Sequence, residues 1–180
     1  MGRSASDTFG AESDEVLDRV PHAINPATFP TITIEQGVLD WNHAISGEGA
    51  QDVVLTMAEN LELERQALLR EDATILEAVD HGDRLDAMRQ QLTTAIASGT
   101  TVVGSYRFDE VNITLIVPFG RQDGLSLGLQ SRGTLTTETY DAAGALVSST
   151  DTPFATTFVL RRATGARWLI VAELPLTDGD

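Results

Sequence analysis

Glu173 is the residue of this chain that best meets the requirements for a general acid or base. Proton transfer at neutral pH needs a carboxyl or imidazole group in apolar surroundings, because burial moves a carboxyl pKa upward toward neutrality. Glu173 ends the run RWLIVAE, in which two-residue alternation places it in line with Leu169 and Val171 and opposite Trp168. An acid in line with two apolar residues is a candidate catalytic group, although its place at a strand end also favours exposure.

Tyr106 and Asp109 are the other two candidates for acid–base chemistry. Tyr106 alternates with Phe108, so the two share a face, which is more typical of a core or a pocket wall than of catalysis. Asp109 is followed by Glu110, and two adjacent acids favour a solvated strand edge or turn. If the protein is an enzyme, we expect Glu173, Asp109 and Tyr106 to be its catalytic residues.

The remaining polar candidates favour solvent over chemistry. Glu138 and Tyr140 share a face with arginine and threonine side chains, which is typical of the wet outer face of an antiparallel sheet. His81 lies in the helix-breaking run VDHGDR, where a histidine is more often solvated than functional.

The sequence predicts no metal and no cofactor. The chain has no cysteine, and its three histidines are far apart without a ligand spacing. The run GLSLG at 124–128 has the form of a nucleophile elbow, but Ser126 lies inside an alternating strand with no helix after it, which excludes an esterase. No glycine-rich phosphate loop is present.

The charge of the chain limits its partners. Of 180 residues, 27 are acidic and 12 are basic, which gives a formal net charge of -15. Nucleic acids and anionic membranes require positive charge facing phosphates, so neither is expected as a partner. The N-terminus has no apolar signal region and no apolar run is long enough to span a membrane, so we expect no membrane segment and, by default, a cytoplasmic protein.

Three helices are predicted in the first half of the chain. A helical apolar period begins at Asp52, Asp72 can cap a second short helix, and Asp83 can cap a third after the break at Gly82. The segment 1–50 is too poor in apolar residues to form its own core, so we expect a flexible or docking extension, with one possible short strand at Ile32 and Ile34.

After Gly99 the period changes from helical to two, which predicts long strands separated by turns, one of them a hairpin turn at Asp141–Gly144. Gly128 and Gly133 lie inside strand patterns and predict bulges or bends. Helices followed by a run of strands predict an α+β domain over 51–175 and a tail at 176–180. In it, N-terminal helices pack on a strongly curved antiparallel sheet of four to five strands, a cone.

This order, together with the terminal strand GARWLIV after a tight turn, resembles the nuclear-transport-factor-two-like superfamily of cystatin-like and SnoaL-like cones over residues 52–174. The resemblance implies a cone whose mouth holds a ligand, with Tyr106, Phe108, Phe158 and Trp168 as ligand-binding residues. It covers ketosteroid-isomerase-like enzymes, which stabilise an enolate with a tyrosine or a protonated acid, and non-catalytic partner-binding domains of membrane-associated bacterial and plastid proteins. It also implies self-association through the open sheet face.

Two functions follow from these observations. The first is a non-catalytic binding or assembly domain that uses its threonine-rich sheet face or cone pocket for a protein partner, a second copy or a small apolar ligand. The second is a small isomerase, cyclase or dehydratase with acid–base catalysis in the cone. The absence of a convergent set of acids and bases in the sequence favours the first.

Overall fold

The computed structural model describes residues 29–116, 126–162 and 167–176, and these residues form four helices and one five-stranded mixed sheet that is not closed. In chain order the elements are β1 (Thr31–Ile34), α1 (Gln36–Trp41), α2 (Glu48–Arg70), α3 (Ala73–Val79), α4 (Gly82–Ser98), β2 (Thr101–Ile116), β3 (Ser126–Tyr140), β4 (Leu146–Arg162) and β5 (Trp168–Pro175). The strands follow one another in the sheet in chain order. The prediction of an α+β class, with helices packed on a sheet, is confirmed.

The strand at Ile32 and Ile34 changes the predicted sheet type. It pairs in parallel with β2, from Thr31 opposite Glu110 to Ile34 opposite Ile113, so the sheet is mixed rather than wholly antiparallel. The parallel pairing is possible because the long connection through α1–α4 returns the chain to the same end of the sheet.

The described part of the expected extension packs against the rest of the molecule. Val38 and Ile45 are 0% and 4% exposed and belong to the same apolar cluster as the centre of the sheet. Helix α2 begins at Glu48, four residues before the predicted start at Asp52, so the expected boundary at residue 50 falls inside a helix.

The two predicted aspartate caps have different outcomes. Asp72 is the N-cap of α3, and its side chain accepts a hydrogen bond from the backbone N–H of Thr74 at 3.0 Å, as predicted. The N-cap of α4 is His81, and Asp83 lies in the first turn of that helix. The prediction for Asp83 is wrong because α4 begins earlier than the pattern indicated, at Gly82.

Helix α2 joins two apolar clusters. Its first half packs with Val111, Ile113 and Phe158 of the sheet, and its second half packs with α3, α4 and Val103 at the start of β2. Val103 and Phe108 point to opposite faces of β2 by alternation, and both are buried. The helices therefore pack on one face of the sheet at the start of β2 and on the opposite face further along the strand.

A bulge interrupts β2 at Asp109. Phe108 pairs with Gly133 and Glu110 pairs with Arg132, which leaves Asp109 without a partner in β3. A side chain at Gly133 would collide with the backbone carbonyl of Arg107, so only glycine fits opposite the bulge.

A second bulge changes which side chains of β5 face the helices. Val159 pairs with Ala172 and Leu160 pairs with Ile170, so Val171 is the extra residue. Glu173 then lies opposite Phe158, on the helix-facing side of the sheet together with Ile170. The predicted phase, which put Glu173 on the other side from Trp168 and Ile170, is wrong because strict alternation does not survive a bulge.

In the described part of the chain, one end of the sheet consists of β2, β3 and β4 alone, because β1 pairs with β2 only at 110–113 and β5 pairs with β4 only from Thr156 onward. We call this region the arm: residues 101–108 of β2, 133–140 of β3 and 146–154 of β4. Residues 146–153 of β4 are exposed throughout, with Leu146 at 53% and Val147 at 64%. Among the described residues, β5 pairs with β4 only from Thr156 onward, so the outer edge of β4 from 146 to 155 has no neighbouring strand.

Some predictions fall outside the described residues. These are the features of segment 1–28, the turn at 118–124, the turn before Arg167 and the last four residues of the tail.

Candidate functional site: a buried charged cluster around Arg84

Five elements bring ionisable side chains together beside the apolar core. Helix α2 contributes Glu64, the α3–α4 connection contributes Asp80, α4 contributes Arg84, β2 contributes Tyr106 and β5 contributes Glu173. We call these five residues the Arg84 cluster. Among the described residues, carboxyl groups, a guanidinium group and a phenol lie close together in this cluster.

Arg84 is the centre of the cluster. Its Nε and Nη2 donate to the two carboxylate oxygens of Glu64 at 2.8 and 2.6 Å, and its Nη1 donates to Glu173 at 2.5 Å. The side chains of Arg84 and Glu64 are 11% and 5% exposed, whereas that of Glu173 is 38% exposed. Burial works against the charge of Arg84, but Glu64, Asp80 and Glu173 outweigh it and raise the arginine pKa above its usual value. The pair with Glu64 is thus a buried, bidentate ion pair.

Asp80 is the member of the Arg84 cluster whose negative charge would be least compensated by its neighbours. It is 1% exposed, and neither of its carboxylate oxygens has a hydrogen-bond partner among the described residues. Burial, and then the negative charge of Glu64, raise its pKa well above the usual range, while Arg84 acts in the opposite direction. A proton on Asp80 would provide a hydrogen-bond donor between the carboxyl groups of Asp80 and Glu64, which otherwise have none between them.

Glu173 reaches the cluster because of the bulge at Val171. Besides Arg84, it accepts a hydrogen bond from the hydroxyl of Thr156 at 3.3 Å. The side chain is partly exposed, and its contacts with Arg84 and Thr156 hold the carboxylate in place.

Tyr106 lies in an aromatic group. Its ring stacks on Phe108 with centroids 5.9 Å apart and meets Phe154 and Phe158 edge-on at 5.1 and 5.5 Å. Burial and the nearby charge of Glu173 raise its pKa to about 12. At neutral pH the phenol therefore keeps its proton and can donate a hydrogen bond but cannot act as a base.

The structure brings together only two of the three candidate catalytic residues. Glu173 and Tyr106 lie in the Arg84 cluster, whereas the side chain of Asp109 is 59% exposed at the β2 bulge, 3.6 Å from Arg107. Three of the expected ligand-binding residues, Tyr106, Phe108 and Phe158, belong to the aromatic group, and Trp168 packs against the same apolar cluster. Phe108 is 8% and Phe158 0% exposed, so both are core side chains here, and ligand binding by them stays a prediction.

The predicted wet face holds a separate ion pair. Arg65 of α2 donates to Glu138 at 2.8 Å, and the hydroxyl of Tyr140 donates to the same carboxylate at 3.0 Å. The hydrogen bond from Arg65 lowers the pKa of Glu138. His81 has a lowered pKa because of partial burial and the charge of Arg161.

Sequence reasoning missed four polar residues of the interior: Asn60, Glu64, Asp80 and Arg84. Asn60 is 0% exposed, donates to the carbonyls of Val79 and Trp168 at 3.3 and 2.9 Å, and accepts from Arg167 at 2.6 Å. A signal was present, because Asn60 and Glu64 are four residues apart on the stripe that Met57 and Ala67 also occupy. Polar residues inside an apolar stripe indicate a buried polar network.

Among the described residues no group of three or more His, Cys, Asp or Glu side chains is arranged to hold a metal ion. None of the described helices has both the length and the apolar character needed to cross a membrane.

Comparisons with known proteins give a likeness of fold. No protein-family model matches the chain. No curated protein matches it in sequence. Among solved structures, it is similar to the intermembrane space region of the chloroplast protein ARC6, with a TM-score of 0.51 and 12% sequence identity, over 73% of this chain and 98% of that one. At this identity the likeness concerns the fold alone.

Proposed function

We propose that this protein is a non-catalytic binding and assembly domain, and that its binding surface is the outer edge of β4 on the arm. The observation that carries the proposal is the unpaired stretch from Leu146 to Ala155, which among the described residues has β3 on one side and no strand on the other. Apart from Pro153, which has no N–H, this edge offers backbone N–H and C=O groups to another extended chain.

The state of the ionisable groups supports a non-catalytic function. Arg84 is occupied by Glu64 and Glu173, and Tyr106 is protonated at neutral pH. Acid–base catalysis needs a group that exchanges its proton near the working pH and can reach a substrate. Asp80, the one buried acid with a strongly raised pKa among the described residues, is 1% exposed.

We propose a second copy of this chain as the occupant of the β4 edge. The net charge of -15 makes most of the surface repel another copy, but residues 146–155 contain a single charged side chain, Asp151, which accepts a hydrogen bond from Thr136 at 2.6 Å. In an antiparallel pair of β4 strands related by a two-fold axis at Thr150, Ser149 would lie opposite Asp151 and no acid would lie directly opposite an acid.

The salt dependence of association distinguishes binding of a second, equally acidic copy from binding of a basic partner. Raising the salt concentration from about 0.1 to about 1 M shortens the Debye length from ~10 to ~3 Å, which screens repulsion between two acidic copies. We expect sedimentation equilibrium of the full chain to give tighter dimerisation at the higher concentration. A chain that stays monomeric across the concentration range at both salt levels would contradict self-association.

Two lysine variants with the same change in net charge test the location. Thr150→Lys would place two lysines opposite each other at the two-fold axis, and we expect about fivefold weaker dimerisation, since charges ~4 Å apart in water repel by about 1 kcal/mol. Val102→Lys changes an exposed side chain two strands away on the same arm and should leave an edge-to-edge dimer unchanged. Loss of dimer in Val102→Lys but not in Thr150→Lys would instead place the contact on the sheet face.

An acid–base enzyme is the second candidate, and the observation that favours it is the convergence of Tyr106, Glu173 and the buried Asp80 beside the aromatic group. Glu173→Gln distinguishes the two functions, since it should leave dimerisation unchanged. Turnover of a small apolar carbonyl compound by the wild type that Glu173→Gln abolishes would support the enzyme.

A further inference from the structure

We propose that Asp80 is a proton-binding site: its carboxyl group keeps a proton at neutral pH and directs it toward Glu64, so that no charge arises where the α3–α4 connection meets β5. This inference concerns the interior of the molecule and does not depend on the occupant of the β4 edge.

Charge counting in the Arg84 cluster supports the proton. Three carboxyl groups, those of Glu64, Asp80 and Glu173, face one guanidinium group, and the three donors of Arg84 described above go to Glu64 and Glu173. Glu173 is partly solvated, but Asp80 is 1% exposed and its oxygens have no hydrogen-bond partner among the described residues. Burying a carboxylate without a hydrogen-bond donor beside it is far more costly than burying a carboxylic acid, so the group takes up a proton instead.

The position of Asp80 in the chain gives this proton a structural effect. Its backbone N–H donates to the carbonyl of Leu76 at 2.9 Å, which ends α3, and Asp80 forms an isolated parallel bridge with Ile170 of β5. The N–H of the next residue, His81, donates to the carbonyl of Ile170 at 3.0 Å. A charge on Asp80 would therefore arise at the point where two helices meet the last strand.

Ionisable groups on α2, α4, β2 and β5 act on Asp80 or on the rest of the Arg84 cluster. Glu64 of α2 favours the proton and Arg84 of α4 opposes it, whereas Glu173 of β5 and Tyr106 of β2 act on the same cluster through Arg84. His81 in the connection is influenced by Arg161 of β4. Burial and then the charge of Glu64 raise the pKa of Asp80 by more than the charge of Arg84 lowers it.

The direction of the pH dependence follows from the two states. In the unfolded chain an aspartate loses its proton above about pH 3.9, whereas folded Asp80 keeps it to a much higher pH. Unfolding then releases one proton, so the unfolding equilibrium constant gains up to about tenfold per pH unit between the two pKa values. Stability from this site is complete below the unfolded pKa and is lost as the pH rises through the folded pKa.

The first test is a pH titration of the side-chain carboxyl carbons of the full wild-type chain by NMR. We expect the Asp80 carbon to titrate at a clearly higher pH than that of Asp86, an exposed aspartate on α4. In Glu64→Gln the midpoint of Asp80 should move down, because a negative neighbour has been removed. An Asp80 midpoint at or below that of Asp86 in the wild type would overturn the proposal, and this measurement needs no Asp80 variant to fold.

The second test compares Asp80→Asn with the control Asp86→Asn in urea unfolding between about pH 5 and pH 9. The amide introduced by Asp80→Asn cannot ionise, so the unfolding constant of that variant should lack the component of up to about tenfold per pH unit that the wild type and Asp86→Asn retain. Hydrogen exchange should show the same difference locally, with the protection factor of the His81 amide falling at high pH only where Asp80 is present. Equal pH slopes in Asp80→Asn and in the wild type would exclude a proton on Asp80.

Discussion

At the scale of single residues, the main feature is a buried ion pair with excess acid around it. Arg84 holds Glu64 with two hydrogen bonds in a place where both side chains are almost fully buried. Removing one member of such a pair leaves a charge that neither water nor another group compensates. Arg84 therefore determines the stability of the α2, α4 and β5 junction more than any exposed charge does.

We expect Arg84→Met to lower the free energy of unfolding by about 3–5 kcal/mol at neutral pH, because Glu64 stays buried without its counter-charge. Arg89→Met is the control, since Arg89 pairs with Glu77 at 2.7 Å but both side chains are about half exposed. That variant should cost less than about 1 kcal/mol. Similar losses in both variants, measured by urea unfolding, would contradict a special role for the buried pair.

At the scale of secondary-structure elements, sequence patterns predicted structure correctly where neighbouring residues alone determine the backbone conformation. The turn predicted at Asp141–Gly144 is present: the side chain of Asp141 accepts from the backbone of Ala143 and Ala145 at 2.9 Å, and Gly144 has a φ of 77°. Gly133 lies at a bulge as predicted, whereas Gly128 makes room for the side chains of Thr114 and Ile116. One pattern, a glycine inside a strand, thus has two causes that the sequence does not separate.

The two predicted helix caps give a matched pair of variants. Asp72→Ala should lower the free energy of unfolding by about 1 kcal/mol, because the N–H of Thr74 loses its acceptor at the start of α3. Asp83→Ala should cost less, about 0.3–1 kcal/mol, since Asp83 has only the favourable field at the first turn of α4 to lose. Thermal unfolding monitored by circular dichroism would test the order, and a larger effect at Asp83 would contradict it.

At the scale of the whole molecule, residues 29–47, which precede α2, are part of the fold. Strand β1 extends the sheet, and Val38 and Ile45 join the main apolar cluster. The low apolar content of residues 1–50 predicts that this stretch has no core of its own, but it does not show that Val38, Ile45 and Ala50 belong to the main apolar cluster.

Two isoleucines test this integration. Ile45→Ala removes a side chain that is 4% exposed and should lower the free energy of unfolding by about 2–5 kcal/mol. Ile96→Ala removes the same atoms from a side chain on α4 that is 53% exposed, and we expect a change of about 0.5 kcal/mol or less. Equal changes in the midpoint of chemical unfolding would mean that the segment is not part of the cooperative unit.

The sequence by itself determined the order and type of most elements, the cap at Asp72 and the hairpin turn at Asp141. Each of these depends on neighbouring residues, whose period and hydrogen-bonding groups can be read along the chain. Tertiary structure alone decided the face on which Glu173 lies, because the bulge at Val171 comes from its pairing with β4 and reverses the alternation. It also assembled the Arg84 cluster, whose members are spread from residue 64 to residue 173 and meet only when the helices pack on the sheet.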